Sequence, residues 1–490
     1  MRIRTLIFLI VSLVMVVFLT TGCSSGNFNN PVDIDREPVI EPCYSGVIIP
    51  PNIAPMNFMI REKASAYRIT ARSSHGESYS VNSSDGVVKF PVKKWKIVAE
   101  HSAGGRIDIE ILALDSSKTV RFSPVSMYVA RENVDPFICY RLLYPGYRSW
   151  VEMKIVQRSL GDFREKPVFE NQLLDNSCVN CHSFRQSSPD KFLLHVRGNG
   201  GGTFFYDGSR LIRTNLRTKE MNANAVYPAW HPSGKYVAFS TNKTVQSFHM
   251  RPEKNIEVYD LYSSLVIYDV DSNRIYACRR RDTAEKWMET FPCWSSDGKY
   301  LYYCRARQVS RGDDYTQVRY DLARRSFDQG TLGDAEVVFD AGSIGKSVSF
   351  PVVSPDGKYL VFTLHDYGTF SIWHKEADLY ILDLSDGKTS KMSLNSDNTE
   401  SYHSWSSNGK WLVFSSKRDD GLTARPYFSY FFSPDSTGKP FILPQEDPGF
   451  YKRFEKTFNR PEFVTGEIKP GPRDFEKASR EAALIPDWIE

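Results

Sequence analysis

The segment Phe350 to Phe362, FPVVSPDGKYLVF, decides the fold. It reads as a strand, a tight turn built on Asp356-Gly357, and a second strand whose apolar residues alternate. The same pattern stands at Tyr227 to Phe239 (YPAWHPSGKYVAF), Phe291 to Tyr303 (FPCWSSDGKYLYY) and Tyr402 to Phe414 (YHSWSSNGKWLVF). Further strands follow, such as Leu265 to Val270 and Leu379 to Leu384. About four strands per unit at this period predict a β-propeller. A fifth copy lies earlier: Ser187 to Leu194, SSPDKFLL, matches the turn and second strand but lacks the turn glycine. His182-Ser183-Phe184 then leads into the first strand of blade one. With five copies visible, a sixth blade would be completed from the C-terminal tail or from residues before Cys178.

Working outward, the stretch that opens blade one is Cys178-Val179-Asn180-Cys181-His182. Two thiols three residues apart, followed at once by an imidazole, have the spacing of a covalent haem c site: the thiols take the vinyl groups and His182 ligates the iron. A structural zinc site would need a second ligand pair, and neither a second CxxC nor an HxxxH occurs in the sequence. A thioredoxin-like redox pair expects a βαβ context, whereas the surroundings here are β-repeats.

Export bears on that choice, because haem is attached to apocytochromes outside the cytoplasm. Met1-Arg2-Ile3-Arg4 is a short basic region, followed by an apolar run from Leu6 to Leu19 and by Thr20-Thr21-Gly22-Cys23. This is the pattern of a secretory signal. Its end resembles a bacterial lipoprotein lipobox, which implies lipidation at Cys23, although Thr20 stands where that motif usually has Leu. An uncleaved anchor is the alternative, and both tether the body of the protein to a membrane outside the cytoplasm. Ser24 to about Glu41 is a polar tether.

Tyr67 to Ala71, Ile107 to Ile111 and Val120 to Phe122 alternate with period two between turn signals, which predicts an all-β sandwich ahead of the propeller. The expected organisation is a signal over 1–22, a tether over 23–41, a β-sandwich over 42–165, a five- or six-bladed propeller over 175–445 and an extended tail over 446–490. A net charge of +4 with no long basic tract gives no sign of nucleic acid, and a mean hydropathy of −0.39 fits a soluble body on a tether. Of the eight cysteines, Cys43 and Cys139 fall in the expected sandwich and could pair; Cys278, Cys293 and Cys304 lie in strands and read as buried thiols.

The W-S-x-D-G-K-Y copies resemble the blade repeats of TolB-type propellers over roughly residues 178 to 445. The resemblance implies the fold and not an activity, since propellers host binding, catalysis and scaffolding alike. It also implies a register. The innermost strand of each blade begins at the face where second-to-third-strand loops emerge, so haem on Cys178 and Cys181 would sit at the mouth of the central channel. Loops on that face carry His249, Met250, His365 and His374; His249, then His374, then Met250 are the candidate second axial ligands. Arg279-Arg280-Arg281 leaves blade two on the same face and would pair with haem propionates or steer an acidic partner. His195 is expected in the core of blade one and His231 on the opposite face.

Two functions follow. One is a lipid-anchored cytochrome of the cell envelope that passes electrons to a partner protein. The other is a haem-free, TolB-like envelope propeller that holds a protein or peptide at its channel mouth. The sequence singles out no distal acid or base for a haem enzyme.

Overall fold

A computed structural model describes residues 28–489, apart from 117, 147–150, 222, 250–253, 279–285 and 311. Its dominant feature is a ring of six β-sheets. The repeats build five of them in chain order. Their innermost strands are Val179–Phe184, Ala225–Trp230, Trp287–Trp294, Ser347–Val353 and Glu400–Trp405, each paired antiparallel to the strand after it. The hairpin that joins the first two strands repeats the same chemistry. In blade three, Ser295 Oγ donates to Asp297 at 2.7 Å and Asp297 accepts from Lys299 N at 3.0 Å. Gly298 takes φ +75°, a conformation only glycine adopts without strain, and Gly234, Gly357 and Gly409 do the same in blades two, four and five.

The sixth blade corrects the expected boundaries. Its outer strands Phe137–Leu143, Lys154–Ser159 and Glu165–Glu170 precede the haem motif, and its innermost strand, Thr457–Val464, comes from the tail. Residues 137–170 therefore belong to the propeller and not to the N-terminal domain, and the tail closes the ring by pairing with Phe137–Leu143. The rest of the tail is structured as well. Helix Pro472–Ser479 packs Phe475 against Phe169 and Phe204, and Asp487–Ile489 adds a parallel strand to the edge of blade two. Proline spacing hid the strand Thr457–Val464: Pro461 falls inside it, where a proline reads as a breaker.

The N-terminal domain consists of a seven-stranded and a three-stranded sheet. Strands Ala66–Ser73 and Arg106–Asp115 bury alternate residues, as their sequence pattern requires. Helix Val92–His101 lies against them and buries Trp95, Val98 and Ala99, a spacing of three and four residues. The domain shares one apolar core with blades five and six, in which Trp95 and Met56 join Trp411, Phe428 and Phe463. Polar contacts fix the orientation: Asp135 accepts from Ser407 N at 2.7 Å, and Tyr430 donates to Glu132 at 2.9 Å.

Candidate functional site

All six innermost strands carry a bulge, with two residues facing one on the neighbouring strand. In blades two to four the two residues are an aromatic and a proline: Tyr227-Pro228, Phe291-Pro292 and Phe350-Pro351. Blade five has Tyr402-His403, blade six Arg460-Pro461 and blade one Asn180-Cys181. Tyr227, Phe291, Phe350, Tyr402 and Arg460 all hold φ between 49° and 52°, a conformation that costs bulky residues about 1–3 kcal/mol each. Their rings meet across the channel, with centroids 4.1 Å apart for Phe291 and Phe350 and 4.9 Å for Phe350 and Tyr402. This aromatic floor separates an upper cavity, open to solvent, from a lower chamber lined by the prolines and tryptophans of the repeats.

The bulge changes what CVNCH can do. In a regular strand, residues three apart point to opposite faces; one extra residue restores the parity, so register positions 178 and 181 fall on the same face. Cys178 and Asn180 line the upper cavity, whereas Val179 and His182 are fully buried on the other side. Arg141 holds the strand in place, its Nη1 donating to the carbonyls of Val179 at 3.1 Å and Asn180 at 3.0 Å. The Asn180 amide, with its oxygen turned toward Arg197, accepts from Nη2 at 2.8 Å and Nε at 3.1 Å.

His182 is the anomaly of the site. Its side chain is closed in between blades one and six, 3.8 Å from Glu462 Oε1, and neither ring nitrogen has a hydrogen-bond partner. The carbonyls of Arg460 and Cys139 approach the ring without hydrogen-bond geometry. Burial, with Arg460 and Arg141 nearby, pushes its pKa down to about 3, so the ring is neutral and able to donate a lone pair to a metal. Burial likewise pushes the Glu462 carboxyl up to about 7. In donor chemistry these residues fit haem c: a thiol on the cavity wall, a second cysteine at the matching register, and an orphaned neutral imidazole beside them. In position the imidazole does not open onto the cavity.

The other expected ligands fall elsewhere. His249 sits exposed at the end of the long hairpin Tyr236–Phe248 and Ile256–Asp269; its backbone N–H bonds Asn255, and it is not on the cavity wall. The hairpin reaches the cavity through Thr244, Gln246, Ile256 and Val258, so its tip is carried past the opening. His374 is buried, with Nδ1 2.8 Å from Glu376 and Nε2 3.3 Å from Lys254; both nitrogens are engaged, which removes it as a ligand. Met250, Arg279, Arg280 and Cys23 lie outside the described residues. His195 is a core residue bonded to Thr203 at 3.0 Å, and His231 bonds Ser233 and Gly298 in a half-buried turn. Cys43 and Cys139 do not pair: Cys43 is exposed beside Lys439, and Cys139 is buried in the core between blades six and one.

Two features escaped the sequence. Among the described residues the cavity wall holds one methionine, Met153, which lies in the segment read as sandwich. Among the described residues it also holds four cations, Arg141, Arg197, Lys417 and Arg460, and no carboxylate. They come from blades five, six and one, so only ring closure brings them together.

No family model matches the chain, and no curated protein matches it. Among solved structures it is similar to a chain of a nidogen/laminin complex, at 8% identity over 67% of this chain and 100% of that one, with a TM-score of 0.38. It is similar to prolyl oligopeptidase B from Galerina marginata at 10% identity over 69% of this chain and 43% of that one, TM-score 0.37. A gluconolactonase from Xanthomonas campestris matches at 9% identity over 58% and 84%, TM-score 0.35. At such scores the fold rests on the six sheets themselves.

Proposed function

We propose that the protein is a haem c protein of the cell envelope, tethered through Cys23, which exchanges electrons with a partner protein at the upper mouth of the propeller. The observation that carries this reading is CVNCH at the cavity edge with His182 buried and unpartnered. Leaving two polar atoms unsatisfied costs about 1–3 kcal/mol each, and a metal ligand role explains why a histidine stands there. Haem c would supply a one-electron couple. In this chain, Cys178 and Cys181 would hold the group, His182 would be the proximal ligand, and Met153 is the thioether available on the cavity wall. Since His182 is closed off from the cavity, ligation requires the bulged segment 180–182 to move.

The test is a visible spectrum of the protein made in a haem-maturing host, with haem retained after denaturation and acid-acetone extraction. Cys178→Ala with Cys181→Ala should release the haem, and colourless wild-type protein overturns the reading. A colourless protein would favour the second reading, a haem-free binding propeller, for which the closed position of His182 speaks.

A further inference from the structure

We propose that the upper cavity binds an amphipathic organic acid and that Lys417 is the anchor for its carboxylate. The wall is chemically lopsided. Blades two and four supply an apolar side with Ile256, Val258, Phe370, Ile372 and Trp373, and blades five, six and one supply the four cations. A hydrocarbon side facing a cationic rim, with no carboxylate among the described lining residues, suits a ligand with an apolar body and a negative end.

Lys417 is the cation whose head group meets an aromatic face and no hydrogen-bond acceptor among the described residues. Arg141 is tied to the carbonyls of the blade-one strand and Arg197 to Asn180. The Lys417 side chain is buried, with Nζ 3.5 Å from the centre of the Trp373 ring, and no carboxylate lies within ion-pair distance among the described residues. Asp420, the acid whose charge acts on it, is occupied by the N–H groups of Leu422 and Thr423. Burial pushes the ammonium down to about 7. An ammonium placed against an aromatic face and denied a counter-ion is a costly arrangement for a folded protein and a favourable one for an incoming carboxylate. The acid could be a propionate of an attached haem or belong to a free molecule; the shared chemistry is a carboxylate on an apolar body. The site does not depend on thioether links.

The probe is metal-free protoporphyrin IX, a dicarboxylic acid unable to ligate through iron, with its dimethyl ester as the uncharged control. Both are titrated into apoprotein from a host without haem maturation, followed by quenching of tryptophan fluorescence. The acid should bind at least tenfold more tightly than the ester. Lys417→Met should remove that preference without changing ester affinity, and Lys417→Arg should keep it. Equal affinity of acid and ester, no binding of either, or an unchanged preference in Lys417→Met overturns the proposal; the acid–ester comparison on wild type stands even if the variant misfolds. On matured protein, loss of acid binding identifies the haem propionates as the natural occupant, and retention identifies a free acid. Covalent haem on a protein whose apo form ignores the acid sinks this site alone, whereas a colourless protein that prefers the acid sinks only the haem reading.

Discussion

The innermost strand of blade one and those of blades two to five have the same bulge at the same height, yet opposite contents. Blades two to four put an aromatic and a proline there, and blade five a tyrosine and a histidine whose Nε2 bonds the Val361 carbonyl at 2.9 Å. The rings of blades two to four meet one another, and His403 keeps one of its two nitrogens bonded. Blade one has Asn180 and Cys181 instead, followed by an imidazole with no partner. The same bulge therefore holds an aromatic floor in blades two to five and, in blade one, precedes an imidazole with both nitrogens unpartnered. Buried polar atoms are left unpaired at sites of function because packing alone would select against them.

Four measurements sharpen or break this contrast. The largest effect belongs to the floor. Phe350→Ala removes a buried ring in contact with Phe291 and Tyr402 and should lower unfolding stability by about 3–5 kcal/mol, against about 1 kcal/mol for Asn180→Ala at the matching position of blade one. Chemical denaturation of both variants makes the comparison, and equal losses would show that the blades are equivalent.

Next comes a pH effect at Glu462. Its carboxyl titrates near 7 in the folded chain and near the ordinary value of 4.5 when unfolded, so the native state holds the proton more tightly. Its contribution is fully present below about pH 4.5 and is lost as pH rises through 7, by at most about 3 kcal/mol; the 20% exposure of the side chain keeps the loss below that ceiling. Glu462→Gln should flatten the stability profile between these values, and an unchanged slope places the proton elsewhere.

The third effect is smaller and of opposite sign. His182→Leu in apoprotein removes two unpartnered nitrogens and should raise stability by about 1 kcal/mol, whereas His403→Leu, which breaks a hydrogen bond, should lower it by about as much. Destabilisation by His182→Leu would mean that the ring is an ordinary core residue. The smallest effect is at His249. Its alanine variant should shift neither stability nor any haem spectrum beyond about 0.5 kcal/mol or the error of the trace, since the side chain is exposed at the hairpin end. A newly opened iron position in that variant would restore it as a ligand.

The repeats were legible because each blade is a local unit. Strand, a turn of Ser, Asp or Asn before Gly, and strand lie within thirteen residues, and turn chemistry with period-two alternation needs no tertiary partner to be read. CVNCH was legible for the same reason, its chemistry residing in spacing. The sixth blade was not, since its inner and outer strands lie some three hundred residues apart, and no local pattern joins Thr457–Val464 to Phe137–Leu143.

By itself, the sequence determined a β-propeller of repeated four-stranded units and a cysteine pair with an adjacent histidine at the start of blade one. Only the tertiary structure decided that six blades close the ring, that a bulge sets register positions 178 and 181 on one face while burying His182 on the other, and that Lys417 shares a cavity with Cys178. The physical reason is that turns and alternation are fixed by neighbours along the chain, whereas cavities, orphaned polar atoms and unpaired charges arise only where distant segments exclude water together.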